Sequence, residues 1–220
     1  MSITTNVTLG QHRLPGMLSV PDQAKGIVIF AHGSGSSRLS PRNVEVAKHL
    51  QARGFATLLF DLLTEDEATD RSNVFAIPLL AVRVTEAIKW SRGDHRVAHL
   101  PIGLFGASTG AAAAIQAAAF SPYGVRAIVS RGGRPDLAGA DALNRNRAAT
   151  LLVVGGADRD VLALNEAAWA QMKCEGHIAI VPRAGHLFEE PGALEAVVLL
   201  AADWFETHLK EADHAHSRLS

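Results

Sequence analysis

Two kinds of apolar pattern alternate along the chain. Short runs rich in β-branched residues (Ile27-Val28-Ile29-Phe30-Ala31, Ala56 to Phe60, Ile102 to Phe105, Val125 to Val129, Thr150 to Val154 and His177 to Val181) are apolar at consecutive positions rather than at every second one. Such runs suit strands covered on both faces. Between them lie Asn43 to Arg53, Val74 to Ser91, Thr109 to Phe120, Leu162 to Lys173 and Gly192 to Leu209, whose apolar residues recur every three or four positions and predict helices. Strand and helix in alternation give an α/β architecture, a mostly parallel sheet with helices on both faces. Thr4 to Leu9 and Leu14 to Val20 are joined by a short stretch starting Gly10-Gln11 and predict an antiparallel pair, hence an antiparallel N-terminal edge. The gap from Arg131 to Ala149 holds a loop and one short helix but no lid domain, so a site on this sheet is expected to be open. Residues 1–210 read as one domain and 211–220 as a polar C-terminal tail expected to fray.

Composition narrows the class. With 220 residues, 48% apolar and 20% charged, the chain can bury a large core, which excludes a disordered protein. The 21 basic and 22 acidic residues leave a net charge of -1, too little field to gather nucleic acid or coat an anionic membrane, so neither is expected as a partner. The single cysteine, Cys174, allows no internal disulfide and fits a reducing compartment. The polar stretch Met1 to Pro15 lacks a leader pattern and no eighteen uncharged apolar residues run together. A soluble, cytoplasmic protein is expected.

Chemistry concentrates at strand ends. Gly106-Ala107-Ser108-Thr109-Gly110 sits directly after one apolar run and before an alanine-rich helix, the strand, sharp turn and helix of a nucleophile elbow. An ordinary strand-to-helix connection is the competing reading. A serine alcohol needs a base oriented by a carboxylate. Asp158 follows the Thr150 run in Gly155-Gly156-Ala157-Asp158, and His186 follows the next run in Ala184-Gly185-His186, giving the chain order serine, acid, histidine. Asp160 competes with Asp158 but adjoins a helix start that it could cap. The loop His32-Gly33-Ser34-Gly35-Ser36-Ser37 can turn the Ser34 backbone N–H toward an oxyanion, with Thr109 N–H as the second donor. The same loop lacks the Gly-Lys-Ser/Thr of a phosphate cradle, and His32 reads as a brace for it.

With these pieces the sequence resembles the α/β-hydrolase superfamily, and within it the small lidless proteins of the dienelactone hydrolase family. The likeness runs through His32 to Ser36, Asp61 to Thr64, Phe105 to Gly110, Ser130 to Arg134, Gly155 to Asp158 and Gly185 to Phe188. It implies the α/β-hydrolase fold and a triad of Ser108, Asp158 and His186. Dienelactone hydrolases proper carry a cysteine at the elbow, where this chain has Ser108, and a serine there favours ordinary carboxylic esters. The resemblance also draws attention to Arg131 and Arg134, which follow a strand and would hold a substrate carboxylate if they point inward; Asp136 and Asp141 are near enough to neutralise them instead.

The expected function is two-step acyl transfer on short, soluble esters, a small-molecule substrate with no cofactor or metal. A lactonase, thioesterase or dienelactone-type hydrolase on the same triad, and a catalytically silent binding module, remain as alternatives. Glu65, Asp66, Glu67 and Asp70 read as a solvated loop. His208, His214 and His216 read as an adventitious metal chelator at most.

Overall fold

The computed structural model describes residues 2–210; the tail read at 211–220, with His214 and His216, lies outside them. All eight expected strands form one sheet: β1 (Ser2–Leu9), β2 (Leu14–Pro21), β3 (Ile27–Ala31), β4 (Ala56–Phe60), β5 (Ile102–Ala107), β6 (Val125–Arg131), β7 (Ala149–Gly155) and β8 (Gly176–Val181), in the order β1-β2-β4-β3-β5-β6-β7-β8. Strand β2 runs antiparallel to both neighbours, and every pairing from β4 to β8 is parallel. The antiparallel edge is therefore where the sequence predicts it.

The consecutive apolar runs are explained by two cores. Along β3, Val28 and Phe30 face a core shared with α1 (Pro41–Ala52) and α7 (Ala193–His208), while Ile27 and Ile29 face another. That second core packs α3 (Ile77–Gly93), α4 (Thr109–Phe120), α5 (Ala140–Arg145) and α6 (Arg159–Trp169) on the opposite face. Both faces of the strand are dry, so neither set of side chains can be polar.

Local chemistry shifts some boundaries. Helix α3 starts at Ile77 rather than Val74, because Pro78 occupies the first turn, where its missing N–H costs nothing, and residues 73–75 form a separate 3-10 turn. The acidic stretch at 65–70 is not simply a solvated loop. It contains helix α2 (Glu65–Thr69), opened by a capping box in which Glu67 N–H donates to Thr64 Oγ1 at 3.2 Å and Thr64 N–H to Glu67 Oε2 at 2.9 Å. Glu67 also accepts from Arg83 Nη2 at 2.8 Å, and these bonds hold its carboxyl below the usual range, the Thr64 backbone bond first. Arg83 is buried at 3% exposure, so this pair pins α2 to α3. Between β6 and β7 there is only a 3-10 turn at Pro135–Ala138 and the short α5, with no inserted lid.

The carboxyl ends of the parallel strands converge on one rim. His32 follows β3, Asp61 follows β4, Ser108 follows β5, Gly132 follows β6, Asp158 lies beyond β7 and His186 beyond β8.

Candidate active site

Ser108 sits at φ 50 and ψ -122, a backbone conformation that costs a non-glycine residue roughly 1–3 kcal/mol and persists only where its surroundings enforce it. The enforcement is visible on both sides. A Cβ at Gly106 would lie 2.4 Å from Ala111 Cα, and one at Gly110 would lie 2.1 Å from the Ala31 carbonyl oxygen. Only glycines let α4 close so tightly on β3 and β5. The turn is also tied down by backbone bonds: Ser108 N–H donates to Arg131 O at 3.3 Å, and Ser108 O accepts from Ala111 and Arg134 N–H, each at 3.1 Å.

Asp158 and His186 meet because β7 and β8 are parallel neighbours whose exit loops bond to each other. Gly156 N–H donates to Val181 O at 2.9 Å and Ala157 N–H to Ala184 O at 3.0 Å. The loops can approach only because residue 155 is glycine, since a Cβ there would lie 2.3 Å from Ala184 O. Two residues past the histidine, Phe188 is buried at 2% exposure and anchors that loop in the core. The result is a hydrogen bond of 2.8 Å from His186 Nδ1 to Asp158 Oδ2. It fixes the ring tautomer and leaves Nε2 as the free basic nitrogen. Asp158 also occupies the N-cap position of α6, and Asp160, exposed in that helix's first turn, makes no bond to the imidazole.

Ser108 and His186 line one cavity of about 210 Å3. No direct hydrogen bond joins the Ser108 hydroxyl to the ring; such bonds are often long or misaligned before substrate binds.

The loop after β3 is braced from two directions. His32 Nδ1 donates to Gly33 O at 3.0 Å, and its Nε2 accepts from Leu62 N–H at 3.0 Å, so the ring is neutral and clamps the β3 loop to the β4 loop. Burial lowers its pKa. Arg38 then pairs with Asp61 through its guanidinium and, at 2.7 Å, its backbone N–H. Held this way, Gly33 packs on Ser108, where an added Cβ would come within 3.0 Å of Ser108 Cβ. Neither Ser34 N–H nor Thr109 N–H has a hydrogen-bond partner among the described residues, and both residues line a second cavity of about 310 Å3. That cavity shares Gly33, Ser34 and Ser36 with the first and extends past Leu62, Leu63, Val74 and Leu80 to helix α2.

The two arginines singled out in the sequence part company. Arg134 is engaged by Asp136 through two bonds of 2.8 and 2.9 Å and does not line the cavity; Asp141 pairs with Arg145 instead. Arg131 lines the cavity beside Ser108 and His186, is only 8% exposed, and keeps a buried Nη1 with no partner. Burial first, and the neighbouring Arg42 second, lower its pKa to about 10. Arg42 was not singled out in the sequence. Its Nη1 donates to Glu189 at 3.0 Å, its Nε is buried without a partner, and it lines the same cavity. No sequence signal marks it, because it sits at the start of α1 and reaches the site only through packing.

Cys174 lies between α6 and β8, where it accepts weakly from Asn146 Nδ2 at 3.5 Å, away from the rim. Among the described residues no group of three or more His, Cys, Asp or Glu side chains is placed to hold a metal ion, and no helix is long and apolar enough to cross a membrane.

A crystal structure of a dienelactone hydrolase from Anabaena variabilis superimposes with a TM-score of 0.91 at 51% identity, covering 96% of this chain and 99% of that one. The chain belongs to the dienelactone hydrolase family. Its α/β-hydrolase fold also matches the esterase domain of a Rhodothermus marinus protein, with a TM-score of 0.74 at 18% identity over 95% of this chain and 99% of that one. A Mycobacterium tuberculosis protein, named as a candidate phosphoribosyl transferase, is 55% identical over 203 residues, which is 92% of this chain and 46% of that protein. The chain thus spans about half the length of the curated relatives it matches. No family model matches it. Within the family, this chain carries Ser108 at the elbow.

Proposed function

We propose that this dienelactone hydrolase family member is a cytoplasmic serine hydrolase that cleaves short carboxylic esters through an acyl-enzyme. Ser108 attacks the carbonyl carbon while His186 Nε2 takes its proton. Asp158 holds the imidazole through Nδ1 and stabilises the imidazolium. The Ser34 and Thr109 N–H groups receive the oxyanion; losing one such donor typically costs roughly 3 kcal/mol of transition-state stabilisation. His186 returns the proton to the leaving oxygen, and water then releases the acyl group by the same steps in reverse. Arg131 holds an anionic group of the substrate in the cavity, and Arg134, engaged with Asp136, serves the scaffold. No step calls on a cofactor or metal.

The observation that carries this reading is the strained Ser108 at φ 50 facing the same cavity as a histidine already bonded to Asp158 at 2.8 Å. A binding module has no need of that combination, and the silent alternative is not favoured. The transferase name belongs to a protein of which this chain matches less than half, and it is not carried over. The test is labelling by a fluorophosphonate with turnover of p-nitrophenyl acetate, butyrate and longer esters. Labelling and turnover should both vanish in Ser108→Ala while the protein stays folded, and short esters should outpace long ones. An unlabelled, inactive but folded wild type would overturn the proposal.

A further inference from the structure

We infer that Asn165, buried in the middle of α6, is a positioning residue that keeps the nucleophile half of the proposed triad in register with its acid–base half. This deepens the proposed acyl transfer and rests on it.

The two halves stand on different parts of the fold. Asp158 and His186 are bonded to each other where β7 and β8 leave the sheet, whereas Ser108 occupies the elbow between β5 and α4. No hydrogen bond joins the Ser108 hydroxyl to the imidazole, so the scaffold between them sets the distance the proton must cross. The backbone that grips Ser108 is the exit of β6, through the bonds to Arg131 O and Arg134 N–H. Asn165 ties that exit to the helix of the acid. It is fully buried, and its Nδ2 donates to Gly133 O at 2.9 Å and to Val161 O of its own helix at 2.7 Å. Asp158 is the N-cap of α6 and its carbonyl accepts from Leu162 N–H at 2.9 Å. Acid and amide therefore ride on one rigid element, about two turns apart. Among the described residues no other side-chain hydrogen bond joins α6 to the 132–134 loop. From the opposite side the loop is pressed against the elbow, since a Cβ at Gly133 would lie 2.0 Å from Ser130 Oγ and 2.6 Å from Ala111 Cβ. Asn165 thus closes a continuous path of short contacts from Asp158 to Ser108.

Stability alone gives little reason for an amide at this position. Its donors meet two carbonyls, yet its Oδ1 is buried with no partner, and an unmet buried acceptor offsets what a hydrogen bond returns. Asn146 is the useful contrast. It too is fully buried, but Nδ2 donates to Thr150 Oγ1 at 2.9 Å and to Ala148 O at 3.3 Å, and Oδ1 accepts from Ala148 N–H at 3.1 Å. It precedes the amino end of β7, at the end of the sheet remote from the rim. Asn146 is fully met and serves the fold, whereas Asn165 is partly unmet and lies between the halves of the triad.

The experiment counts active sites by fluorophosphonate titration, so that every rate refers to a labelled serine and the unfolded fraction drops out. In Asn165→Leu, kcat per site for p-nitrophenyl butyrate should fall about tenfold to a hundredfold, as a displacement of up to 1 Å demands, with KM within about threefold. The rate constant of labelling should fall by the same factor, because phosphonylation also requires His186 to take the Ser108 proton. The apparent pKa of kcat should not move, since the Asp158–His186 bond is held by its own loops. Asn165→Gln keeps the polar group on a longer arm, remains testable if the leucine variant does not fold, and should also lower kcat. Asn146→Leu should lower Tm more than Asn165→Leu while leaving kcat per site within about twofold. Unchanged kcat per site in the Asn165 variants, a loss confined to KM, a shifted pKa, or an equal kcat loss in Asn146→Leu would overturn the inference. A labelled wild type with any of these results refutes the positioning role alone, whereas an unlabelled wild type refutes the acyl-transfer reading and the positioning role with it.

Discussion

Replacing Gly110 by alanine sets two physical effects against each other. Gly110 is the second residue of α4, and by helix propensity alone alanine should stabilise the protein by about 1 kcal/mol. The packing says otherwise. The added Cβ would lie 2.1 Å from Ala31 O and 2.5 Å from His32 O, both backbone atoms in the strand and loop beneath the elbow. A carbon approaches a carbonyl oxygen no closer than roughly 3.3 Å, so α4 must retreat from β3 by about 1.2 Å. Overpacking of that kind costs about 1–3 kcal/mol or more, outweighs the propensity gain, and should lower Tm by roughly 3–8 °C for a domain of this size. Because the same shift moves Ser108 and the Thr109 N–H together, a displacement near 1 Å should also lower kcat about a hundredfold. Thermal denaturation by circular dichroism and the initial rate with p-nitrophenyl butyrate read both effects. Gly93→Ala is the control, since a Cβ at the end of α3 meets nothing within 4 Å; it should hold or raise Tm and leave kcat alone. A Gly110→Ala protein as stable and active as wild type would refute the claim that glycine is enforced there by contact.

Asp158→Asn should drop kcat about ten-thousandfold by leaving His186 in the wrong tautomer, while Asp160→Asn should change it less than about threefold; the reverse pattern in initial rates would reassign the acid. Arg131→Met should raise stability, because burial lowers this guanidinium's pKa to about 10, so that it binds its proton less well folded than unfolded, an unfavourable contribution at neutral pH of at most about 3 kcal/mol. Calorimetry should also show benzoate raising the Tm of wild type but not of Arg131→Met, and a variant no more stable than wild type would contradict the reading of an unmet buried charge. For His32, burial lowers the pKa from 6.5, so the unfolded chain takes up a proton first as pH falls. Its contribution is fully present above pH 6.5 and is lost below it, down to the lowered native value, by at most about 1.4 kcal/mol per pH unit. Denaturant titrations from pH 7.5 to 5 should show a shallower loss in His32→Gln, and identical slopes would dismiss the neutral brace.

The chain itself determined the sheet and the rim. Covering both faces of a strand leaves runs such as Ile27 to Ala31 apolar at every position, and an elbow as tight as the one at Ser108 requires Gly106 and Gly110 in adjacent sequence. Both demands are local, so they can be read residue by residue. Asp158 and His186 were also legible, because each stands a few residues past a strand whose parallel neighbour is fixed by the alternation. What folding alone decided are the encounters between distant segments. Arg42 meets Arg131 at one cavity only because α1, packed against α7 and β4, begins beside that rim, and Arg134 is lost to the site only because its side chain turns to Asp136. Glu67 became the anchor of a helix, rather than part of a solvated loop, because α3 carries Arg83 inward to meet it. Local patterns follow from the geometry of one element, whereas the sign and direction of a buried charge depend on which elements close over it, and that is settled by packing.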